Sequence, residues 1–165
     1  MADKIKLPFK GFHMKSGEIT VDVNMARIEK QFQQAQYLLD STVMMDMQPY
    51  MPMLEHKFID KTVAASQAIA GSGKVYAAMP PEGRFLYEGK TMVDAETGSP
   101  WARKAAQKVL VSQFGGKTAA KEELTYSHEA HPKAQSHWFE AAKEQHGDHW
   151  IRMVKKIAGG GSGGA

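Results

Sequence analysis

The chain contains no cysteine, no long apolar run and no strong charge of either sign. Lacking cysteine, it has no disulfide frame, no thiolate nucleophile and no cysteine-based zinc site, and the absence favours a reducing compartment. No apolar run approaches the roughly 18–20 residues of a membrane span, and the lysine-rich start lacks the apolar centre of a signal peptide. The expectation is therefore a soluble chain without membrane contact or targeting segment. A formal charge of +3 over 165 residues is too mild to argue for nucleic acid on charge alone. That length is enough for one domain with a substantial core.

Methionine is plentiful. Eleven occur, and five of them fall between Met44 and Met53. Its flexible, polarizable side chain either fills irregular gaps in a core or makes an adaptable contact surface for another subunit, and both readings apply to Met44, Met45, Met47 and Met51 with Tyr50.

Residues 1–16 carry Lys4, Lys6, Lys10 and Lys15 among scattered apolar residues broken by Pro8 and Gly11. They read as a basic N-terminal arm with room for a short edge strand. Residues 17–23 alternate, with Ile19, Val21 and Val23 on one face, which predicts a half-buried strand. Asn24 is a candidate cap for a long helix to about Met45, whose stripe is Ile28, Phe32, Ala35, Leu39 and Val43. One stripe predicts that this helix lies across a sheet.

Pro49 and Pro52 end the helix. In residues 54–66 Phe58, Thr62 and Val63 favour a strand while Leu54, Phe58 and Ile59 also suit a helical turn; connectivity tips the expectation to a strand, returned by residues 74–79 after the glycine-rich IAGSG turn. The GSGK of this turn lacks the first glycine of a phosphate loop, and no hydroxyl-bearing helix start follows it. Residues 82–88 predict a short helix with proline at its first turn and Gly89 past its end. Residues 100–108 read as helical and 109–111 as strand-like, with a further short strand over 122–126. Residues 89–127 as a whole form a long irregular excursion. A last helix begins at or after Pro132, interrupted at Gly147, with Trp138 and Trp150 on its apolar face. Residues 159–165 are a flexible glycine-rich tail, either natural or an expression remnant. The expected fold class is α+β: a long helix packed on a small antiparallel sheet, an irregular excursion and a C-terminal helix, with residues 17–158 as a single domain.

Histidines are the one candidate set for metal or catalysis. His128, His131 and His137 cluster, as do His146 and His149 beside Asp148, but neither group has the i, i+4 pair on a helix that marks a zinc site. No nucleophile motif occurs. Arg103, Lys104 and Lys108 beside Trp101 are compatible with phosphate contact and equally with a solvated helix face.

Two segments carry a resemblance: GKVYAAMPPEGRFLYEGKTMVDAETGSPWARKAAQKVLV, and LTYSHEAHPKAQSHWFEAAKEQHGDHW further on. With their YEGK-MVD stretch, GS-PWARK turn and HP-A-HWFEAAK helix, they resemble the minor capsid proteins of tailed bacteriophages, particularly phages of Gram-positive hosts. The order strand, long helix, PYMP is similar to the related head–tail joining and tail-completion proteins. The resemblance spans about residues 18–156. It implies a virion protein of the neck, made in the host cytoplasm: a tail-completion or tail-terminator component acting as a homo-oligomeric ring, commonly a hexamer. Its expected partners are itself, neighbouring neck proteins and the tail tube protein, with non-specific contact to phage DNA conceivable. It implies no cofactor, no metal and no catalysis, and hands over no catalytic residues. A head-closure or other minor capsid role is the alternative within that class. A His-cluster metal enzyme and a DNA-binding module are the rivals outside it. Met44, Met45, Met47, Tyr50, Met51, Trp101 and Arg103 are the candidate ring and partner contacts.

Overall fold

The computed structural model describes residues 11–53, 56–80, 82–101 and 105–159. The element order is β1 (Phe12–Ser16), β2 (Ile19–Val23), α1 (Ala26–Met47), α2 (Lys57–Ala68), α3 (Gly83–Glu88), β3 (Met92–Asp94), β4 (Lys108–Leu110) and α4 (Trp138–Ala158), with short 3-10 turns at Gln48–Tyr50 and Val111–Gln113. The fold is α+β. Its strands form two separate antiparallel pairs, β1–β2 and β3–β4. No helix among the described residues is long and apolar enough to cross a membrane.

The core sits where α1 meets α4. Thr42 Oγ1 donates to Met153 Sδ at 3.7 Å, Trp150 Nε1 donates to Asp46 Oδ2 at 2.6 Å, and the Tyr50 and His146 rings meet edge-on. Rising numbers on α1 thus meet falling numbers on α4, so the two helices run antiparallel. Trp138, Ala142 and Trp150 are buried on α4 at spacings of four and eight, one face of a 3.6-residue period. They pack with Val43, Met44, Met47, Tyr50, Met51 and Ile59. The long helix therefore buries its stripe against a second helix, not against a sheet. Neither strand pair has the width to receive it.

Several local expectations are corrected. α2 replaces the strand expected over residues 54–66, of which 54 and 55 lie outside the described residues. Its buried side chains are Ile59, Thr62 and Ser66, a helical spacing that the β-branched composition masked. Residues 74–79 form no strand, so no hairpin joins the two segments. Around 100–108 the described residues are not helical: Trp101 lies in a bend, Ala105 has φ 63°, and strand β4 begins at Lys108. The strand expected over 122–126 reduces to a single bridge between Lys90 and Glu123. α4 runs through Gly147 without a break.

The cap of α1 is Met25, without a side-chain bond, and Asn24 lies one residue before it, its Oδ1 accepting the Ala26 N–H at 2.9 Å. The helix stop holds: Gly89 ends α3 with φ 70°, the left-handed position that favours glycine. The last five residues of the N-terminal arm region become β1, paired residue for residue with β2 from Phe12↔Val23 to Ser16↔Ile19.

Candidate interaction surface

The two segments that carry the resemblance meet in space. At the end of α3, the Tyr87 carbonyl accepts the His137 N–H at 2.9 Å, and the Tyr87 hydroxyl donates to Glu140 on the first turn of α4. Trp138 is fully buried; its ring meets Tyr87 edge-on at 4.8 Å and Phe58 at 6.0 Å, and its indole N–H donates to the Ala77 carbonyl at 2.8 Å. Tyr126 Oη donates to the Leu86 carbonyl at 2.6 Å. Burial, then the hydrogen bond and the nearby charge of Glu140, hold the Tyr87 phenol well above its usual pKa; burial also raises that of Tyr126. The polar atoms of this cluster are spent on one another. The chemistry of the cluster is that of a brace between α3 and α4.

The MVD stretch becomes β3, whose last residue builds the next turn. Asp94 is fully buried, and its Oδ1 accepts the Glu96 and Thr97 N–H groups at 2.9 and 3.1 Å. Its backbone N–H donates to the Ser99 carbonyl, and its carbonyl accepts the Gly98 N–H. Gly98 has φ 68°, and an added Cβ there would lie 2.3 Å from the Phe114 ring, so only glycine fits. Thr118 Oγ1 closes the turn onto the Gly98 carbonyl at 2.6 Å. This held turn projects Trp101, which is 88% exposed and whose N–H donates to Ser99 Oγ at 3.2 Å. Beside the excursion lies an open groove of about 740 Å³ lined by Phe85, Leu86, Met92, Ala106 and Leu124 among others.

The expected contact residues divide. Met44, Met47, Tyr50 and Met51 are buried in the core, which corrects their assignment to a contact surface. Packing explains it: they cap the α1–α4 seam, where flexible methionines fill the space around two tryptophans. Met45, one residue along the helix, points away and is exposed. Trp101 is exposed, and Arg103 lies outside the described residues. The structure thus leaves Met45 and Trp101 as surface candidates and does not bring them together with the buried four.

The three clustered histidines make local contacts. His131 Nδ1 lies 2.8 Å from the Met51 carbonyl, His128 Nδ1 lies 3.1 Å from the Pro132 carbonyl, and His137 stacks edge-on against Tyr87. Among the described residues no group of three or more His, Asp and Glu side chains is placed to hold a metal ion.

A second apolar surface escaped the sequence reading. Phe12, Met14 and Ile19, all on β1 and β2, are 56%, 54% and 69% exposed. The alternation marked β2 as half-buried, which holds for Val21 and Val23 but not for Ile19, and the register across Gly17 places the apolar residues of both strands on one side. No protein-family model, curated protein or solved structure matches the chain.

Proposed function

We propose that this chain is a structural subunit of the neck of a tailed bacteriophage, a tail-completion component that works as a homo-oligomeric ring between head and tail. What supports the reading is the resemblance of the two segments, which pack as one unit: Tyr87 and Glu140, 53 residues apart in the chain, bond directly.

The surface supports the same reading. Several of the large side chains left uncovered are apolar and stand on the turn and the ribbon, Trp101 on the one and Phe12, Met14 and Ile19 on the other, and tryptophan is among the residues that most often dominate binding at interfaces. Arms and turns of this kind let a small subunit bury more area than its body offers. The test is Trp101→Ala in the producing phage. Because the indole is almost wholly exposed, the variant should fold with unchanged thermal stability yet fail to enter particles. Normal particles containing the variant would remove Trp101 from the interface; the absence of the unaltered protein from mature particles would overturn the assignment.

A further inference from the structure

The β1–β2 ribbon is amphipathic. Its register places Phe12, Met14, Ile19, Val21 and Val23 on one face and His13, Lys15, Thr20 and Asp22 on the other. The polar face is satisfied across the strands, His13 Nδ1 lying 2.7 Å from Asp22 Oδ1. On the apolar face Phe12, Met14 and Ile19 are exposed while Val21 and Val23 are half-buried, and among the described residues no other helix or strand packs extensively against either strand. A lone two-stranded hairpin is marginal in water and gains stability when its apolar face finds a partner. Gly17, with φ 60° in a two-residue turn, fixes the register and keeps this face continuous.

The same chain presents a surface that fits. Between α1, the turn after α2 and the C-terminal end of α4 lies a groove of about 660 Å³, with Tyr37, Leu38, Ala70 and Ile157 as its apolar lining. Tyr37 and Leu38 are exposed there. Gln34 and Lys30 border it and offer donors to the free edge of a strand. Lys30 is the one charged residue among the described ones that line it, and Glu18 stands in the ribbon turn; neither makes an ion pair with a described residue.

We infer that the apolar face of the ribbon of one copy seats in the α1–α4 groove of a second copy. The ribbon does not reach the groove of its own chain as joined. β2 passes to α1 through Asn24 and Met25 alone, Asn24 Oδ1 holds the Ala26 N–H, and the Met25 carbonyl accepts the Glu29 N–H. Among the described residues, none of the ribbon lines the groove of its own chain. Donor and acceptor surfaces are different patches, so the contact is head-to-tail and closes into a ring when the rotation permits. It names the contact of the proposed ring and rests on that reading for its setting.

Engineered thiols test it without background, since the chain has no cysteine. Ile19→Cys and Leu38→Cys, prepared as separate variants, mixed and oxidised, should form a disulfide between the two chains. An Ile19→Cys and Gln113→Cys mixture, with the second thiol on an exposed 3-10 turn, sets the random level. Adding Met14→Lys to the Ile19→Cys chain should reduce the link to that level while the far-ultraviolet helix signal stays unchanged. An internal disulfide in a monomeric Ile19→Cys/Leu38→Cys double variant would overturn the inference in favour of a ribbon folded on its own chain. Cross-linking no greater than the random level would overturn it in favour of a different chain on the ribbon. Failure of the link in a protein still present in particles would reject this contact alone; a strong link in a protein absent from particles would reject the neck assignment alone.

Discussion

Asp40 is buried on α1 with three donors aimed at it: the Gly71 and Gly73 N–H groups at 2.8 and 3.0 Å from Oδ2, and Gln36 Nε2 at 2.7 Å from Oδ1. Successive N–H groups of a glycine turn make a concavity that favours an anion. The GSGK turn has such a concavity, and the carboxylate of its own chain fills it. Asp40→Ala should cost about 2–4 kcal/mol, because hydrogen bonds to a charge are lost and their donors are left unpaired. Urea unfolding would check this, with faster amide exchange at Gly71 and Gly73; an unchanged midpoint would contradict it. In the sequence Asp40 reads as one more polar residue on the outer face of a helix, since its partners lie thirty residues on. Gly89 was legible, because a helix stop is local. Gly89→Ala should destabilise by about 1–2 kcal/mol from the left-handed φ, with Ser136 Cβ and Tyr126 Oη only 3.1 and 3.2 Å from the new methyl group. Tyr87 gives a pH dependence. Its phenol ionises near about pH 10 in an unfolded chain and at higher pH in the folded one, chiefly through burial. The folded state thus holds this proton more tightly, so its contribution is complete below about pH 10 and is lost as pH rises towards the folded value. The thermal midpoint should fall above pH 10, and less steeply in Tyr87→Phe.

Among the elements, those with strong local signals were readable and those shaped by neighbours were not. α1, α3 and α4 announce themselves by period, by the glycine after α3 and by tryptophan spacing. α2 did not, because Thr62 and Val63 favour strands in isolation, whereas burial of Ile59, Thr62 and Ser66 on one side decides for a helix. Gly147 misled in the other direction. Inside α4 an added Cβ would meet nothing nearer than Lys143 Cγ at 3.7 Å, so the glycine answers to no steric demand there. Gly147→Ala should therefore stabilise the protein by about 0.5–1 kcal/mol, measured as a raised urea midpoint with unchanged slope; a lowered midpoint would mean that the helix needs the glycine.

Across the whole molecule, distance along the chain separates what could be foreseen from what could not. The methionine cluster was open to both core and contact readings, and the choice belongs to α4, whose Trp150 meets Asp46 from 104 residues away. No period within residues 44–53 encodes that meeting. The exposed residues escape for the converse reason: the apolar face of the ribbon looks like any core strand until the body is seen to stand elsewhere. A small helical core, a brace tying α3 to α4, and apolar side chains exposed on a turn and a ribbon are the features on which the proposed joining to copies of itself rests. Counting the copies of this chain per mature particle by quantitative mass spectrometry tests that account most directly. A single ring's worth of copies in each particle is the predicted result, and either none or the hundreds of a shell protein would contradict it.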